Sequence, residues 1–417
     1  MRFILYSWQA NNEQILADNL IKMGFEVVWF RKECKHYTRD MELAMEMIQA
    51  VHREAAEAVV SFNYFPIVSM ICHTCEIPYY AWVYDCPHFT LYAKQVCDSC
   101  NHIGIFDREM VRRLEEDYDI NTLHHAPLAV DCAYFEEAIA RASRGKREKY
   151  QCDVSFVGSL YTDEHNYYEL LFDGERDAAA SDCGRMEALI KQQCFSYEKD
   201  YLRQAVTSGQ IHLEELQKSM EEQGLMLGED YFARPEDILI AAVLEKKVTV
   251  EERWKLLTGI MRQLSTCDSS VMTDGRGTAD RNLDFRLYTG SDTGKLPELN
   301  AHNHGTVDYH TQMPLVFAGS RINLNISLRS IHSGIPLRVL DIMACGGFVL
   351  SNRQPEVTEY FEEGVEIATF GSMEECIDKV HYYLSHEEER KQIAEAGQRK
   401  VKEEFSYEAG LSRLFEV

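Results

Sequence analysis

The chain has 417 residues, enough for two domains of ordinary size, each with its own core. Its 68 acidic residues outnumber 43 basic ones, for a formal net charge of -25, so nucleic-acid phosphates and an anionic membrane surface are repelled over most of the exterior and are excluded as first partners. The opening MRFILYSWQANNE lacks the pattern of a signal peptide, no run approaches the roughly 18 apolar residues of a membrane span, and 13 scattered cysteines suit a reducing compartment; a cytoplasmic enzyme is the expectation.

In chain order, RFILYSW (2–8) reads as a strand, NEQILADNLIKMGF (12–25) as an amphipathic helix and EVVWF (26–30) as a second strand, a βαβ opening. AVVSFNYF, PYYAWVYD and HIGIFD follow as strands, each trailed by a helical pattern, and HHAPLAVD (124–131) reads as the last strand and turn of a first domain, 1–140. The alternation predicts a parallel, doubly wound α/β sheet. A charged helical stretch, RASRGKREKY, leads to DVSFVGS (153–159), which restarts the pattern in a second domain, 150–405. Between about 165 and 268 only helical periodicity is seen, which predicts a helical insertion. Strands resume with FRLYTG, INLNISL, GFVLSN and EIATF, and the helices SMEECIDKVHYYLS and EEERKQIAEAGQRKVKEEF complete the pattern, with Ser372 and Ser385 as N-caps.

The stretch GIPLRVLDIMACGGFVLSN (334–352) concentrates the chemistry. Pro336 suits the first turn of a helix, and the N–H groups around Ser333, Gly334 and Ile335 make an anion site at the carboxyl edge of the sheet. Arg338 can add a charge-assisted bond to phosphate, and Asp341, on the same face, can accept from a ribose diol. Gly346 and Gly347 should end the helix in a left-handed turn. The plainer alternative is an i,i+3 surface pair of Arg338 and Asp341 followed by an ordinary C-cap.

The block INLNISLRSIHSGIPLRVLDIMACGGFVLSNRQPEVTEYFEEG, with DVSFVGSLY, PLAVD and, more loosely, YSWQANNE and YAWVYDCPHFTLY, resembles GT-B glycosyltransferases of the group 1 type, in particular the spore-maturation CgeB-like glycosyltransferases. The resemblance implies a GT-B fold: two Rossmann-like domains facing across a cleft, with residues 406–417 as a helix crossing back to the first domain. It implies a nucleotide-sugar donor, UDP- or dTDP-linked, no tightly bound cofactor, and a protein, peptide or glycan acceptor. It gives Asp341 the ribose-binding role and puts Gly158 and Ser159 beside the donor diphosphate, with Tyr288, Thr289 and Gly290 near the base. Where many retaining members carry a Glu eight residues before the ribose-binding acid this chain has Ser333, and YTDEHNYY stands where a Lys is usual, so the stereochemistry stays open.

Glycosyl transfer needs the leaving diphosphate neutralised and, with inversion, a base for the acceptor proton. Gly334, Ile335, Arg338 and Arg329 are the expected neutralising groups, and no metal is required. Asp85, ending an apolar strand, is the first candidate base, with His88 beside it and Glu13 second; Asp85 is alternatively a turn residue before Pro87. His302, His304 and His310 either line the donor site or are solvated loop residues. Cys72, Cys75, Cys97 and Cys100 form two CxxC pairs near zinc-ribbon spacing, without glycine-rich knuckles. Cys345, with no neighbouring His, reads as a packed residue. The aromatic residues from Tyr64 to Tyr92 either stack sugars or fill a core. An epimerase or phosphorylase on the same scaffold, or a non-catalytic nucleotide-sugar-binding assembly protein, are the alternatives in function.

Overall fold

The computed structural model describes residues 1–162, 167–168, 182–197, 199–224, 226–266, 283–294 and 296–415. The first part alternates β1 (Arg2–Ser7), α1 (Glu13–Lys22), β2 (Glu26–Arg31), α2 (Met41–Glu54), β3 (Ala58–Phe62), α3 (Pro66–Cys75), β4 (Tyr79–Val83), β5 (Asn101–Ile105), α4 (Arg108–Tyr118) and β6 (Leu123–His125). All strands pair in parallel in the order β2-β1-β3-β4-β5-β6. Helices on both faces bury the sheet, which is why its strands are apolar runs without alternation; all five residues of β3 are buried.

After α5 (Cys132–Arg141) and α6 (Arg144–Lys149), β7 (Cys152–Val157) opens a second parallel sheet. A run of helices follows: α7 (Asp182–Gln193), α8 (Tyr201–Thr207), α9 (Glu214–Glu222), α10 (Pro235–Leu239) and α11 (Glu245–Thr266), with a π-helical turn at Ile240–Leu244. Then come β8 (Phe285–Tyr288), α12 (Pro297–Asn300), α13 (Met313–Gly319), β9 (Ser320–Asn325), α14 (Leu337–Ala344), β10 (Val349–Asn352), α15 (Pro355–Tyr360), β11 (Ala368–Phe370), α16 (Met373–Ser385), α17 (Glu387–Glu404) and α18 (Tyr407–Phe415). The strand order is β11-β10-β9-β7-β8.

Each sheet therefore has one point where strand order reverses, between β1 and β3 in the first and between β7 and β9 in the second. In doubly wound sheets the crevice outside the carboxyl ends at such a point is where ligands lie. The two carboxyl edges meet: Cys86 Sγ, beyond β4, donates to Ser330 O at 2.9 Å, and Asn12, beyond β1, donates to Tyr309 Oη at 3.2 Å.

The expected strand HHAPLAVD is shorter than anticipated. Pairing stops at His125 because Pro127 has no N–H to continue the ladder, and Asp131 instead caps α5, accepting from Tyr134 N–H at 3.0 Å. Ser372 caps α16 as expected, accepting from Glu375 N–H at 3.1 Å, but Ser385 does not cap α17. Its hydroxyl donates back to Tyr382 O at 2.8 Å, closing the preceding helix, and His386 takes the cap position.

Helices α7 to α11 build an apolar cluster around Leu189, Ile190, Leu239 and Val243. The segment between α9 and α10 also reaches the first sheet's side, through Arg234–Asp117 at 2.9 Å and Arg39–Asp230 at 2.8 Å. Part of the insertion expected at about 165–268, namely residues 165–166, 169–181, 198, 225 and 267–268, lies outside the described residues. Helix α18 packs on β4 and β5, where Gly410 lies so close to Trp82 that a Cβ would sit 2.4 Å from its ring. Among the described residues no helix is long and apolar enough to cross a membrane.

Candidate active site

At the reversal point of the first sheet, the residues just past β1, β3 and β4 surround a cavity of about 660 Å³. Trp8, Tyr37 and Phe65 supply aromatic surface, and Asp85 stands exposed at the rim. Asn63 holds this carboxylate. Its Nδ2 donates to Asp85 Oδ2 at 2.6 Å, while its own Oδ1 accepts from the Tyr84 and Asp85 amides at 3.1 and 3.2 Å. Asn63 has φ +59°, a left-handed conformation that asparagine tolerates, which turns its side chain back along the strand end.

The other two candidate bases are engaged. Glu13 is buried, and its carboxylate accepts from Ser7 Oγ at 2.5 Å and from the Trp8 and Ala10 amides at 2.9 and 3.1 Å, so it braces the turn after β1. His88 accepts at Nε2 from Tyr64 N–H at 3.1 Å and lies 2.7 Å from Thr90 Oγ1; burial lowers its pKa from the usual histidine value.

Across the interface, Gly158 and Ser159 follow β7, and Ser159 Oγ lies 2.9 Å from Ser291 Oγ beyond β8. Gly290 is closely approached, since a Cβ there would be 2.9 Å from Thr306. Arg253, which the sequence did not single out, reaches this point from α11. It donates from Nε to Ile326 O at 3.2 Å and from Nη1 to Ser159 O, bracing the loops after β7 and β9. Burial, and the nearby charge of Arg338, pull its pKa below the ordinary arginine value.

Arg338 Nη1 lies 3.1 Å from Asp341 Oδ2, so the i,i+3 pair is present. It is no surface pair: Asp341 is only 1% exposed and also accepts from Tyr309 Oη at 2.8 Å. Burial pushes its pKa up to about 6, against the pull of Arg338 and Tyr309. Pro336 sits at the N-cap position, one residue earlier than expected. The helix ends as anticipated, with Gly346 at φ +71°, and Gly347 lies where a Cβ would be 2.7 Å from Phe317 O.

Arg329 and Ser333, both expected at the phosphate site, are otherwise occupied. Arg329 is stacked on Tyr197 at 4.0 Å and donates to Glu252 at 2.9 Å and to Ser196 O and Gln193 O, tying the insertion to the loop after β9. The loop before α14 meets the first sheet: Asp107 Oδ2 accepts from the His332 and Ser333 amides at 2.6 and 3.2 Å. Ser333 Oγ lies 2.9 Å from Asp107 Oδ1 and 2.7 Å from Glu356 Oε1. Ile335 is buried, and a Cβ on Gly334 would be 2.7 Å from the Phe106 ring.

Of the loop histidines, His302 Nδ1 lies 3.1 Å from Phe285 O, His304 packs on Tyr288, and His310 Nδ1 is 2.9 Å from Tyr134 Oη. Cys345 is buried, and its thiol pKa is raised well above the usual value by burial. Cys72, Cys75, Cys97 and Cys100 do not converge as a metal set, and all four are free thiols.

Residues 277–416 match a family described as glycosyl transferase-like. No curated protein matches the chain. Among solved structures, the chain is similar over its whole length to a glycosyltransferase from Rickettsia africae, at 11% identity and a TM-score of 0.54, covering 97% of that protein. It is similar to sucrose-phosphate synthase from Thermosynechococcus elongatus, at 9% identity and a TM-score of 0.54, and to Anabaena HepE in complex with UDP-glucose, at 9% and 0.53; each comparison covers all of this chain and 98% of the other. The two facing parallel sheets are thus a GT-B fold, and the last third of the chain is glycosyl transferase-like in sequence.

Proposed function

We propose that the chain transfers a sugar from a nucleoside-diphosphate donor, UDP- or dTDP-linked, to a protein, peptide or glycan acceptor, without a metal in the chemical step, and that it belongs with the CgeB-like glycosyltransferases. The observation that supports this most is the opposition of two strand-order reversals, one carrying an exposed carboxylate over a cavity and the other carrying Arg253 and Arg338 beside a glycine turn. HepE, of the same fold, has been crystallised with UDP-glucose.

In this reading the donor diphosphate lies over Gly158, Ser159 and the start of α14. Arg338 and Arg253 offset the charge that develops as the diphosphate leaves, and Asp341 with Tyr309 holds the ribose. The acceptor occupies the cavity beside Trp8 and Tyr37, and Asp85, oriented by Asn63, takes the proton from its attacking hydroxyl. The insertion contributes acceptor specificity.

The first test is thermal stabilisation of the protein by UDP, dTDP, GDP, ADP and CMP, with EDTA and with Mg²⁺, beside Asp341→Ala. One nucleoside diphosphate should raise the melting temperature regardless of EDTA, and Asp341→Ala should abolish the shift. Asp85→Asn should keep the nucleotide response and lower turnover by about 10²- to 10⁴-fold, the usual contribution of a positioned base. Full turnover in Asp85→Asn would remove Asp85 from this role, and nucleotide binding without turnover of any donor would favour an assembly protein.

A further inference from the structure

We propose that Asp200, Glu245 and His332 form a binding site for a divalent transition-metal ion, which enters in competition with the guanidinium of Arg113. The site lines a cavity of about 600 Å³ between α4, the insertion and the loop after β9, whose lining also includes Arg329 and Ser333 but none of Arg253, Arg338, Asp341 or Asp85. Each of the three residues offers one ligand atom, and these atoms all lie within 4.8 Å of one another; among the described residues no other set of three or more does so.

The second observation is unmet hydrogen-bonding capacity. Glu245 is 4% exposed, its Oε2 has no partner, and Oε1 has only His332 Nε2 at 3.5 Å. The hydroxyl of Tyr197, which lines the same cavity, also lacks a hydrogen bond, and Asp200 Oδ2 has none beyond long ion-pair contacts to Arg113 at 3.5 Å and Arg203 at 3.6 Å. Buried polar atoms without partners are rare, and their concentration at one cavity points to a missing ligand. The π-helical turn at Ile240–Leu244 directly precedes Glu245, and such turns gather at functional sites.

The donor set, two carboxylates and an imidazole, identifies the ligand as a cation. The nearby guanidinium groups make their shortest contacts elsewhere: Arg203 is 2.6 Å from Asp237 against 3.6 Å from Asp200, Arg113 is 2.8 Å from Glu109 against 3.5 Å from Asp200, and Arg329 is 2.9 Å from Glu252. Among the described residues Glu245 is left with no guanidinium partner, and together with the weakly paired Asp200 it offers the two carboxylates that a divalent ion would bridge. Two carboxylates and an imidazole favour Mn²⁺, Fe²⁺ or Zn²⁺ over Mg²⁺, which prefers oxygen ligands.

Arg113 occupies one side of the site, with Nη1 3.2 Å from His332 Nε2 and Nη2 3.5 Å from Asp200 Oδ2. It comes from the first sheet's α4, whereas the three ligands come from the second part of the chain. Metal binding therefore exchanges a contact between the two parts for coordination bonds. This inference does not rest on the proposed transfer reaction.

The test is calorimetric titration of the chelator-treated full chain with Mn²⁺, chosen because the 13 cysteines would take up Zn²⁺ indiscriminately. Wild type should bind one equivalent, and equimolar Mg²⁺ should not compete. Glu245→Gln and Asp200→Asn should each weaken binding by about 10-fold or more, as loss of a ligand does, while Arg113→Ala tightens it. Equal affinity in wild type and both ligand variants overturns the proposal, as does an absence of saturable binding in Arg113→Ala. The nucleotide response of the same samples is a separate readout: its failure counts against the transfer reading and leaves the metal result standing.

Discussion

Asp341 carries a charge in a place where water does not reach it. With 1% exposure and only Arg338 and Tyr309 as partners, its carboxyl is held near pH 6 in the fold against an unperturbed value of 3.8. A raised folded-state pKa means that the folded chain keeps a proton the unfolded chain has lost between about pH 4 and 6, so stability from this group rises as pH falls through that window. Relative to Asp341→Asn, the wild type should gain up to about 3 kcal/mol between pH 7 and pH 4, read from urea midpoints of both proteins. A pH-independent difference between them would show that the carboxylate is better solvated than its burial implies. Asn63 shows the opposite arrangement, holding Asp85 at the surface. Asn63→Ala should lower turnover more than it lowers melting temperature, because its amide orients an exposed group.

Helices α14 and α18 are placed by close approaches that only glycine permits. Gly410 meets the Trp82 ring, and a methyl group 2.4 Å away forces the two elements apart. Gly410→Ala should cost about 1–3 kcal/mol, typical of overpacking, and should appear as a lowered urea midpoint with α18 as the first region to lose amide protection. The glycine pair after α14 was readable from its position before an apolar strand, as were the strands and helices themselves, because apolar periodicity and Gly or Pro punctuation are local signals. Ser385 was not readable: a serine between two helices can cap the second or bond back to the first, and the path of the chain decides which.

The two sheets are tied through buried polar groups. Asp107 caps α4 with Oδ1, receives two amides of the loop before α14 at Oδ2, and shares Ser333 with Glu356, which His125 contacts at 2.7 Å. Replacing one member leaves the others buried without partners, so Asp107→Ala should cost about 3–5 kcal/mol. It should also separate the unfolding of the two sheets, which calorimetry would register as a broadened or double transition. A single transition of unchanged width would assign the coupling to the apolar interface alone.

By itself the sequence determined the elements, their α/β class, the helical insertion and the candidate residues at strand ends, since each is written in short-range patterns of apolar residues, glycine and proline. Only the tertiary structure decided which candidates are engaged by partners within the protein. It consumed Glu13 in its own turn and Arg329 in the insertion, left Asp85 exposed, brought Arg253 to the loops after β7 and β9 and Tyr309 to Asp341, and gathered Asp200, Glu245 and His332 from distant segments. The reason is physical: periodicity acts over a few residues, whereas a buried charge is set by whichever groups the fold brings within a few ångströms, at any separation along the chain.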